Sequence, residues 1–298
     1  MKFIKLSAFI AFFLLVSFSK PKPTQEFDIS GHAQGTTYNI TYYAHQQRVD
    51  KAEVDSIFKA LDQSLSVYQP TSLISRFNRD SVAVKADRHL AVVIKKSLEI
   101  YRKTAGKFDI TVYPLVNAWG FGTEKIKNLP DEDKIKNILR CVGSDKLKLS
   151  KGILRKEVSC LKIDVNGIAQ GYSVDIIADF LEKKGIKNYL VEVGGELRIK
   201  GKKPDGGLMR IGIESPSEDA FSEPVVRSAV AIKNGAITTS GNYRKYIASE
   251  DQKKKLSHLI DPFTGYPLQG SMISVTVIAK DAISADGYDN ALMAMSLK

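Results

Sequence analysis

The chain has 298 residues, of which 43% are hydrophobic, 9% aromatic and 26% charged. This composition is that of a folded protein with a hydrophobic core, so it excludes a disordered or low-complexity chain. Lysine and arginine outnumber aspartate and glutamate by 44 to 33, giving a formal net charge of +11. The excess indicates an anionic partner, and charge alone does not choose among a substrate, a lipid surface and nucleic acid.

Cysteine usage says little about the fold. Cys141 and Cys160 have no CxxC spacing and no histidine at metal-ligand spacing, which disfavours a structural zinc site and a cysteine-rich scaffold. Because the spacing is not diagnostic of a bond, we expect two unpaired thiols near strand ends, and a single disulfide stays possible.

The N-terminus has the pattern of an export signal: Lys2 and Lys5 precede an apolar run over residues 6–18, and small residues follow. As a helix this run would be about 20 Å long, against roughly 30 Å of hydrocarbon in a bilayer, so it is short for a permanent span. We expect a signal peptide or an N-terminal anchor over residues 1–19, a linker over residues 20–30 and one folded domain over residues 31–298.

Periodicity predicts both helices and strands. Tyr38, Ile40 and Tyr42 alternate with polar residues, which is typical of a strand. Later strands are predicted at residues 147–149, 153–158, 189–193, 197–199, 209–213, 228–233, 244–248 and 274–279. Helices are predicted at residues 50–67, 89–101, 169–184 and 282–297, with a further helix that begins at residue 130. Because these elements do not follow strict βαβ alternation, the pattern favours an α+β fold over a doubly wound sheet.

Familiar catalytic signatures are missing, since the sequence has no GxSxG, HExxH, GxGxxG or GxxxxGK[ST] motif. Four polar segments with glycines remain. The first covers residues 106–114 and 117–122, where Trp119 and Phe121 flank Gly120. Such a loop can stack on a planar ring while its backbone approaches closely, and the alternative is a loop with core aromatics.

The second segment, residues 162–172, is predicted to run from a strand into a helix. Asp164 stands at the strand end, and the free backbone groups of the turn can approach a phosphate or a metal. The alternative is that Asn166 is a simple helix N-cap.

The third segment combines residues 238–244 with residues 257–265. Pro262 and Gly265 fit a turn that presents His258, a residue able to bind a phosphate or move a proton. The alternative is a structural histidine.

The fourth segment, residues 284–290, begins the last predicted helix. Asp286 and Asn290 are four residues apart and share a helix face, so two oxygen ligands can reach one hard cation such as magnesium. The alternative is an acidic helix N-terminus stabilised by the helix dipole.

Taken together and in this order, the segments resemble the ApbE-type FAD:protein FMN transferase family over nearly everything from residue 35 to residue 295. The motifs that carry the resemblance lie at residues 35–38, 66–68, 75–78, 106–114, 164–175, 194–196, 239–246, 257–267 and 285–286. The family implies an α+β architecture of the T-fold kind with a second α/β lobe and mixed, mainly antiparallel sheets.

The resemblance also implies an activity. The expected protein is a Mg²⁺-dependent enzyme outside the cytoplasm, in the periplasm or on the outer face of the membrane. It would cleave the pyrophosphate of FAD, attach FMN through a phosphodiester to a threonine or serine of a partner protein, and release AMP. The family's acceptors include subunits of membrane electron-transfer complexes.

The resemblance also implies roles for individual residues. The residues that match the family's FAD site are Gln34, Tyr68, Trp119, Gly120, Phe121, Asp164, Gln170 and Ile260. Asp286, Asn290 and the carbonyl of Gly167 would hold Mg²⁺. From the chemistry of phosphoryl transfer, we hypothesise that His258 contacts the phosphates or assists proton transfer, and that Arg244 neutralises charge on the departing AMP. Three of these positions depart from the common family pattern. The family often has Met at the position of Gln34, Lys or Glu at the position of Gln170, and Thr at the position of Asn290.

Two other functions stay open. A Mg²⁺-dependent FAD pyrophosphatase would use the same site with water as the acceptor, and a non-catalytic periplasmic flavin-binding protein would lack the chemistry. A nucleic-acid partner is not expected, because the basic runs at residues 200–203 and 253–255 are not interleaved with aromatic residues. Those runs are expected to be solvated loops or contacts to anionic lipid.

Overall fold

The computed structural model describes residues 23–80, 82–214, 226–242, 246–248, 255–270 and 272–295. The predicted export segment and Arg244 lie outside the described residues. The helices are α1 (Lys51–Leu65), α2 (Leu73–Asp80), α3 (Arg88–Lys103), α4 (Tyr113–Ala118), α5 (Glu132–Leu139), α6 (Asn166–Lys183) and α7 (Ala282–Met293). The strands are β1 (Gln25–Ala33), β2 (Thr36–Ala44), β3 (Ala83–Lys85), β4 (Leu147–Ser150), β5 (Ile153–Lys156), β6 (Tyr189–Val193), β7 (Glu196–Lys200), β8 (Met209–Glu214), β9 (Val226–Ile232), β10 (Asn234–Gly241), β11 (Tyr246–Ala248), β12 (Lys255–Ser257) and β13 (Ser274–Ala279).

A six-stranded antiparallel sheet organises the fold, in the order β1-β2-β6-β7-β10-β13. The main hydrophobic core joins this sheet to α1, α3, α6 and α7. A smaller core lies where Met209 of β8 and Ile232 of β9 pack against Ile199 and Ile237 of the sheet. The predicted α+β class with mainly antiparallel sheets is therefore confirmed.

Helix α3 illustrates how local sequence sets an element. Asp87 accepts a 2.8 Å hydrogen bond from the backbone N–H of Leu90, which satisfies a free donor of the first turn. The buried stripe of Leu90, Val93 and Ile94 recurs at helical spacing and faces the main core.

The pairing of α6 with α7 positions the candidate site. Asp175 of α6 accepts hydrogen bonds from the backbone N–H groups of Ala282 (3.0 Å) and Ile283 (2.9 Å). A side chain of α6 therefore satisfies two free N–H groups of the first turn of α7. A Cβ atom on Gly171 would lie 2.3 Å from the carbonyl oxygen of Ala282, so only glycine fits this approach. The N-terminus of α7 is thereby fixed against the first half of α6.

Some sequence predictions need correction. Residues 25–30, expected as linker, lie in β1, because Phe27 and Ile29 alternate with polar residues and pair with β2. Residues 234–241 were not predicted as a strand, yet they form β10 between β7 and β13. The last helix ends at Met293 instead of residue 297. No described helix has the length and apolar character needed to cross a bilayer.

Cys141 and Cys160 form a disulfide, with Cα atoms 5.5 Å apart. The sequence had favoured free thiols because two cysteines at this spacing carry no geometric information. The bond joins the segment after α5, next to Val142 of a small apolar cluster, to the segment before Leu161 of the main core. It therefore links two separately packed parts of the fold.

Candidate functional site

Helix α7 carries two buried carboxyl groups. Only 3% of Asp286 and 1% of Asp289 are exposed, and the two residues are three apart on the helix. Asp286 Oδ2 accepts a 2.8 Å hydrogen bond from the backbone N–H of Gly171. This contact fixes the carboxylate against α6.

The amide of Asn290 gathers several oxygens at one point. Four acceptor oxygens lie within hydrogen-bond distance of its Nδ2, which has two hydrogens to donate: the carbonyl of Gly167 (3.3 Å), the carbonyl of Asp286 (3.0 Å), Asp286 Oδ1 (3.3 Å) and Asp289 Oδ1 (3.0 Å). The Ser240 hydroxyl donates to Asn290 Oδ1 at 3.5 Å. Three residues predicted as metal ligands, Gly167, Asp286 and Asn290, are thus brought together, with Asp289 beside them.

Glu196, at the start of β7, adds a third acidic group. Its Oε2 is buried and has no hydrogen-bond partner among the described residues. Burial raises the pKa of Glu196 well above its usual value, and the negative charges of Asp286 and Asp289 raise it further. Three carboxyl groups therefore share a space with little water.

The same causes act on the two aspartates. Burial raises the pKa of Asp286 to about 7, and the charge of Asp175 adds to this. The pKa of Asp289 is also raised well above its usual value, by burial and by the charge of Asp286. Carboxylates that are costly to ionise alone become favourable ligands when a cation neutralises them.

These residues fit a hard divalent cation. Carboxylate, amide and carbonyl oxygens are the donors that Mg²⁺ takes. In the part of the chain described here, no three His, Cys, Asp or Glu side chains are arranged to hold a metal by themselves. A cation at this point would depend on the Gly167 carbonyl and the Asn290 amide as well as on acids, with the amide turned to present its oxygen.

A second group of predicted residues lies around the turn after β12. The Trp119 Nε1–H donates to the carbonyl of Gly265 at 2.7 Å, and Trp119 shares an apolar cluster with Ile260. The rings of Phe121 and His258 meet edge to face, with centroids 6.4 Å apart. Trp119 is 6% exposed, so its position is that of an anchor for this turn more than of an open stacking surface.

Gly120 has a definite local role. It has φ of +81°, directly after Trp119 at the C-terminal end of α4. Its backbone N–H donates to the carbonyl of Asn117 at 3.0 Å. A left-handed glycine at this position ends the helix and turns the chain towards Phe121.

Asp164 lies just before α6, close to Tyr68. Burial raises the pKa of Asp164 to about 6, and its carboxylate Oδ1 accepts a 2.8 Å hydrogen bond from the backbone N–H of Asn166. Tyr68 is 62% exposed, and its pKa is raised by partial burial of the hydroxyl and by the charge of Asp164. The preceding residue, Ile163, is held at both backbone groups by Asn78, at 2.7 and 2.8 Å.

Gln34 and Gln170 lie where the β1–β2 and β6–β7 turns contact α6. Gln34 has φ of 54°, and its Nε2 donates to the Ser173 hydroxyl at 2.9 Å while its buried Oε1 has no partner among the described residues. Gln170 packs against Gly194 of the β6–β7 turn, where an added Cβ would lie 2.9 Å from Gln170 Nε2. Two strand turns and one helix therefore meet here.

Sequence reasoning gave no role to Asp289 and Glu196. Asp289 follows Asp286 by three residues in the same segment, so the i, i+3 spacing of the two acids was a signal present in the sequence. Glu196 stood inside a motif with no assigned role. Nothing local marks it, because its neighbours Asp286 and Asp289 are about ninety residues away.

Fold and site together define an α+β protein with a buried acidic site between the first turns of α6 and the middle of α7. The sequence pattern that defines the ApbE family matches residues 34–298. This chain belongs to the ApbE family, and the resemblance drawn from the motifs is confirmed.

Named relatives agree with this membership. The FAD:protein FMN transferase of Vibrio cholerae is 38% identical over 281 residues, covering 92% of this chain and 83% of that protein. The FAD:protein FMN transferase of Escherichia coli (strain K12) is 35% identical over 301 residues, covering 96% and 84%.

Solved structures show the same fold. The structure of the flavin transferase ApbE from Vibrio cholerae has a TM-score of 0.82 at 35% identity and covers 93% of this chain and 89% of that one. The apo form of the flavinyl transferase ApbE from Pseudomonas stutzeri has a TM-score of 0.82 at 32% identity, covering 92% and 86%.

Proposed function

We propose that this chain transfers FMN from FAD to a protein. The observation that carries the proposal is the convergence of the Asp286 and Asp289 carboxylates and the Gly167 carbonyl on the Asn290 amide, in a chain that belongs to the ApbE family. Its relatives bear the name FAD:protein FMN transferase and match it over most of their length. Phosphoryl-group transfer depends mainly on placement and charge neutralisation, which an acidic cation site serves.

The finer part of the proposal concerns the metal. Mg²⁺ would be held by Asp286, Asp289, Asn290 and the carbonyl of Gly167. When bound, it supplies charge neutralisation on the pyrophosphate. The buried, unpartnered Oε2 of Glu196 and the raised pKa values of the two aspartates support a cation here.

The chain's own residues orient and shield the reaction. The Gly171 N–H holds the Asp286 carboxylate in place, and the cap formed by Asp175 keeps α7 against α6. The Trp119 bond to Gly265 fixes the turn that presents His258. We assign His258 to phosphate contact or proton transfer, and Arg244 to charge neutralisation on the leaving group.

The transfer reaction needs no reactant other than FAD and the acceptor hydroxyl. The hydroxyl oxygen of an acceptor threonine or serine forms a bond to the phosphorus of the FMN half. The bond between that phosphorus and the bridging oxygen breaks, and its electron pair leaves with AMP. The hydroxyl proton passes to a base, and His258 is the candidate.

The location of the reaction is also part of the proposal. The basic N-terminal region and apolar run of residues 1–19 support export, so the acceptor would be an extracytoplasmic protein, such as a subunit of a membrane electron-transfer complex.

The test is a transfer assay with the full chain, FAD, Mg²⁺ and an acceptor domain that carries a candidate threonine. We expect intact-mass spectrometry to show the acceptor gaining one FMN, and the gain to vanish with a chelator or with Asp286→Asn. Asp179→Asn, an exposed aspartate on α6, is the matched control and should transfer normally.

Two outcomes contradict the proposal. Free FMN and AMP with an unmodified acceptor would establish the pyrophosphatase instead. FAD that stays intact with several acceptors, while still binding the protein, would leave a flavin-binding protein.

A further inference from the structure

Four lysines lie close to one glycine, in the backbone, at one end of the strands of the main sheet. The Gly201 N–H donates to the carbonyl of Lys233 at 2.8 Å, and an added Cβ on Gly201 would lie 2.6 Å from the carbonyl of Lys187. Lys202 and Lys203 follow directly along the chain. We call Lys187, Lys202, Lys203 and Lys233 the lysine face.

The lysine face has no direct ion-pair partner within the described residues. All four side chains are exposed, and none forms an ion pair with a described residue.

Some acids near the lysine face are paired with other lysines. Glu53 is paired with Lys184 at 2.5 Å and Glu182 with Lys200 at 2.7 Å. Glu26, Asp28 and Asp205 lie close enough to Tyr43 for their charges to raise the pKa of its hydroxyl. The four lysines of the face outnumber these three acids.

The chain enters the fold at the same end. Gln25, the first residue of β1, pairs with Ala44, and the neighbouring Tyr43 N–H donates to the carbonyl of Asn188 at 3.0 Å. Asn188 Oδ1 in turn accepts the backbone N–H of Lys202 at 3.0 Å. Only residues 19–24 separate the apolar run of the sequence from Gln25, and six extended residues span at most about 20 Å.

The candidate site lies at the opposite end of the sheet. Helix α6 runs from Asn166, beside the site, to Lys183, beside the lysine face. Its 18 residues correspond to about 27 Å of helix. The β6–β7 turn at Gly194 and the end of β10 at Ser240 also lie at the site end.

We propose that the lysine face docks on a bilayer of anionic phospholipid and holds the candidate site on the side away from the membrane. A single weak apolar anchor binds a bilayer marginally, and a basic patch beside it makes the attachment stable. The apolar run is shorter than the hydrocarbon thickness of a bilayer. A second attachment would therefore strengthen membrane binding. This surface function is independent of FMN transfer.

The test measures binding of the full chain to vesicles of phosphatidylcholine alone or mixed with phosphatidylglycerol, by co-sedimentation. One variant carries Lys→Gln at all four positions of the lysine face. The matched control carries Lys→Gln at Lys59, Lys95, Lys134 and Lys151, which are exposed and lie on α1, α3, α5 and the β4–β5 turn. Both variants lose the same net charge.

Each lysine near an anionic surface strengthens binding about fivefold. We expect the lysine-face variant to bind the anionic vesicles at least about tenfold more weakly, and the control less than about threefold more weakly. Binding should also weaken with salt, since exposed charges are screened.

Equal losses in both variants would show a net-charge effect and overturn the proposal. No loss in the lysine-face variant, or equal binding to neutral vesicles, would show attachment by the apolar run alone and would also overturn it. Unfolding midpoints and FMN transfer in solution should match wild type in both variants, which separates this test from that of the transfer activity.

Discussion

The backbone N–H of Gly171 donates to Asp286 Oδ2 across 2.8 Å, so a residue of α6 with no side chain holds the carboxylate of α7 in place. A Cβ at Gly171 would lie 2.7 Å from Asp286 Cβ as well as 2.3 Å from the Ala282 carbonyl. Only a shift of α7 relieves that overlap.

Gly171→Ala should therefore lower the free energy of unfolding by about 1–3 kcal/mol and reduce transfer by displacing Asp286. Urea unfolding and the transfer assay measure the two effects. Gly270→Ala is the control, because a Cβ there meets nothing within 4 Å. Equal stability of the two variants would contradict the close approach of α6 and α7.

The acidic site predicts a pH dependence with a definite sign. The folded pKa of Asp286 is raised to about 7 from 3.8, so its ionisation opposes folding. This penalty is absent below the unfolded pKa, grows as pH rises from about 4 to about 7, and is complete above that. Without metal, Asp286→Asn should gain stability relative to wild type across that window.

Urea unfolding at pH 5 to 8, with a chelator or with millimolar Mg²⁺, measures this difference between the two proteins. Mg²⁺ should stabilise the wild type at pH 8 and have little effect on the variant, since a ligand that binds the folded state alone stabilises it. A stability difference that stays constant from pH 5 to 8 without metal would rule out the raised pKa.

Trp119 anchors the turn that carries His258. Trp119→Phe keeps an aromatic ring beside Tyr266 but leaves the Gly265 carbonyl without its 2.7 Å donor. We expect a loss of about 1–3 kcal/mol in unfolding free energy and a rise in the KM for FAD larger than any fall in kcat. Tyr101→Phe is the control, because it removes a 3.2 Å hydrogen bond to Asp145 that lies outside the turn. It should change neither the KM for FAD nor kcat. A wild-type KM in Trp119→Phe would refute the anchoring role.

The disulfide joins the small apolar cluster to the segment that leads to Asp164. It closes a loop with a sequence separation of 19 residues. Such a loop corresponds to about 3 kcal/mol of stabilisation, through the restricted unfolded chain. The double variant Cys141→Ser, Cys160→Ser should unfold at correspondingly lower urea concentration, and wild type in reducing agent should behave alike. Identical midpoints for oxidised and reduced wild type would contradict a disulfide that spans the two parts.

Local pattern was sufficient for some elements. The apolar stripes of α1 and α3 recur at helical spacing, and their residues are the buried ones: Val54, Phe58 and Leu61 in α1, and Leu90 and Val93 in α3. The pair Asp286 and Asn290 was visible because one turn of one helix sets their spacing.

Other elements were decided by distant partners. β10 reads NGAITTSG, a glycine-rich and polar run, yet Gly235 to Thr238 are buried between β7 and β13. The pairing of Cys141 with Cys160 likewise depends on how two separate segments pack.

Residue type, short spacing and the order of the motifs were enough to predict the class of the chain, its family, its amphipathic helices and the candidate metal ligands. Only the folded chain showed that Glu196 joins Asp286 and Asp289 at one site, that β1 and β10 complete the sheet, and that Lys187 and Lys233 approach Gly201. These are contacts between segments far apart in the chain, and they form only when sheet register and helix packing bring them together.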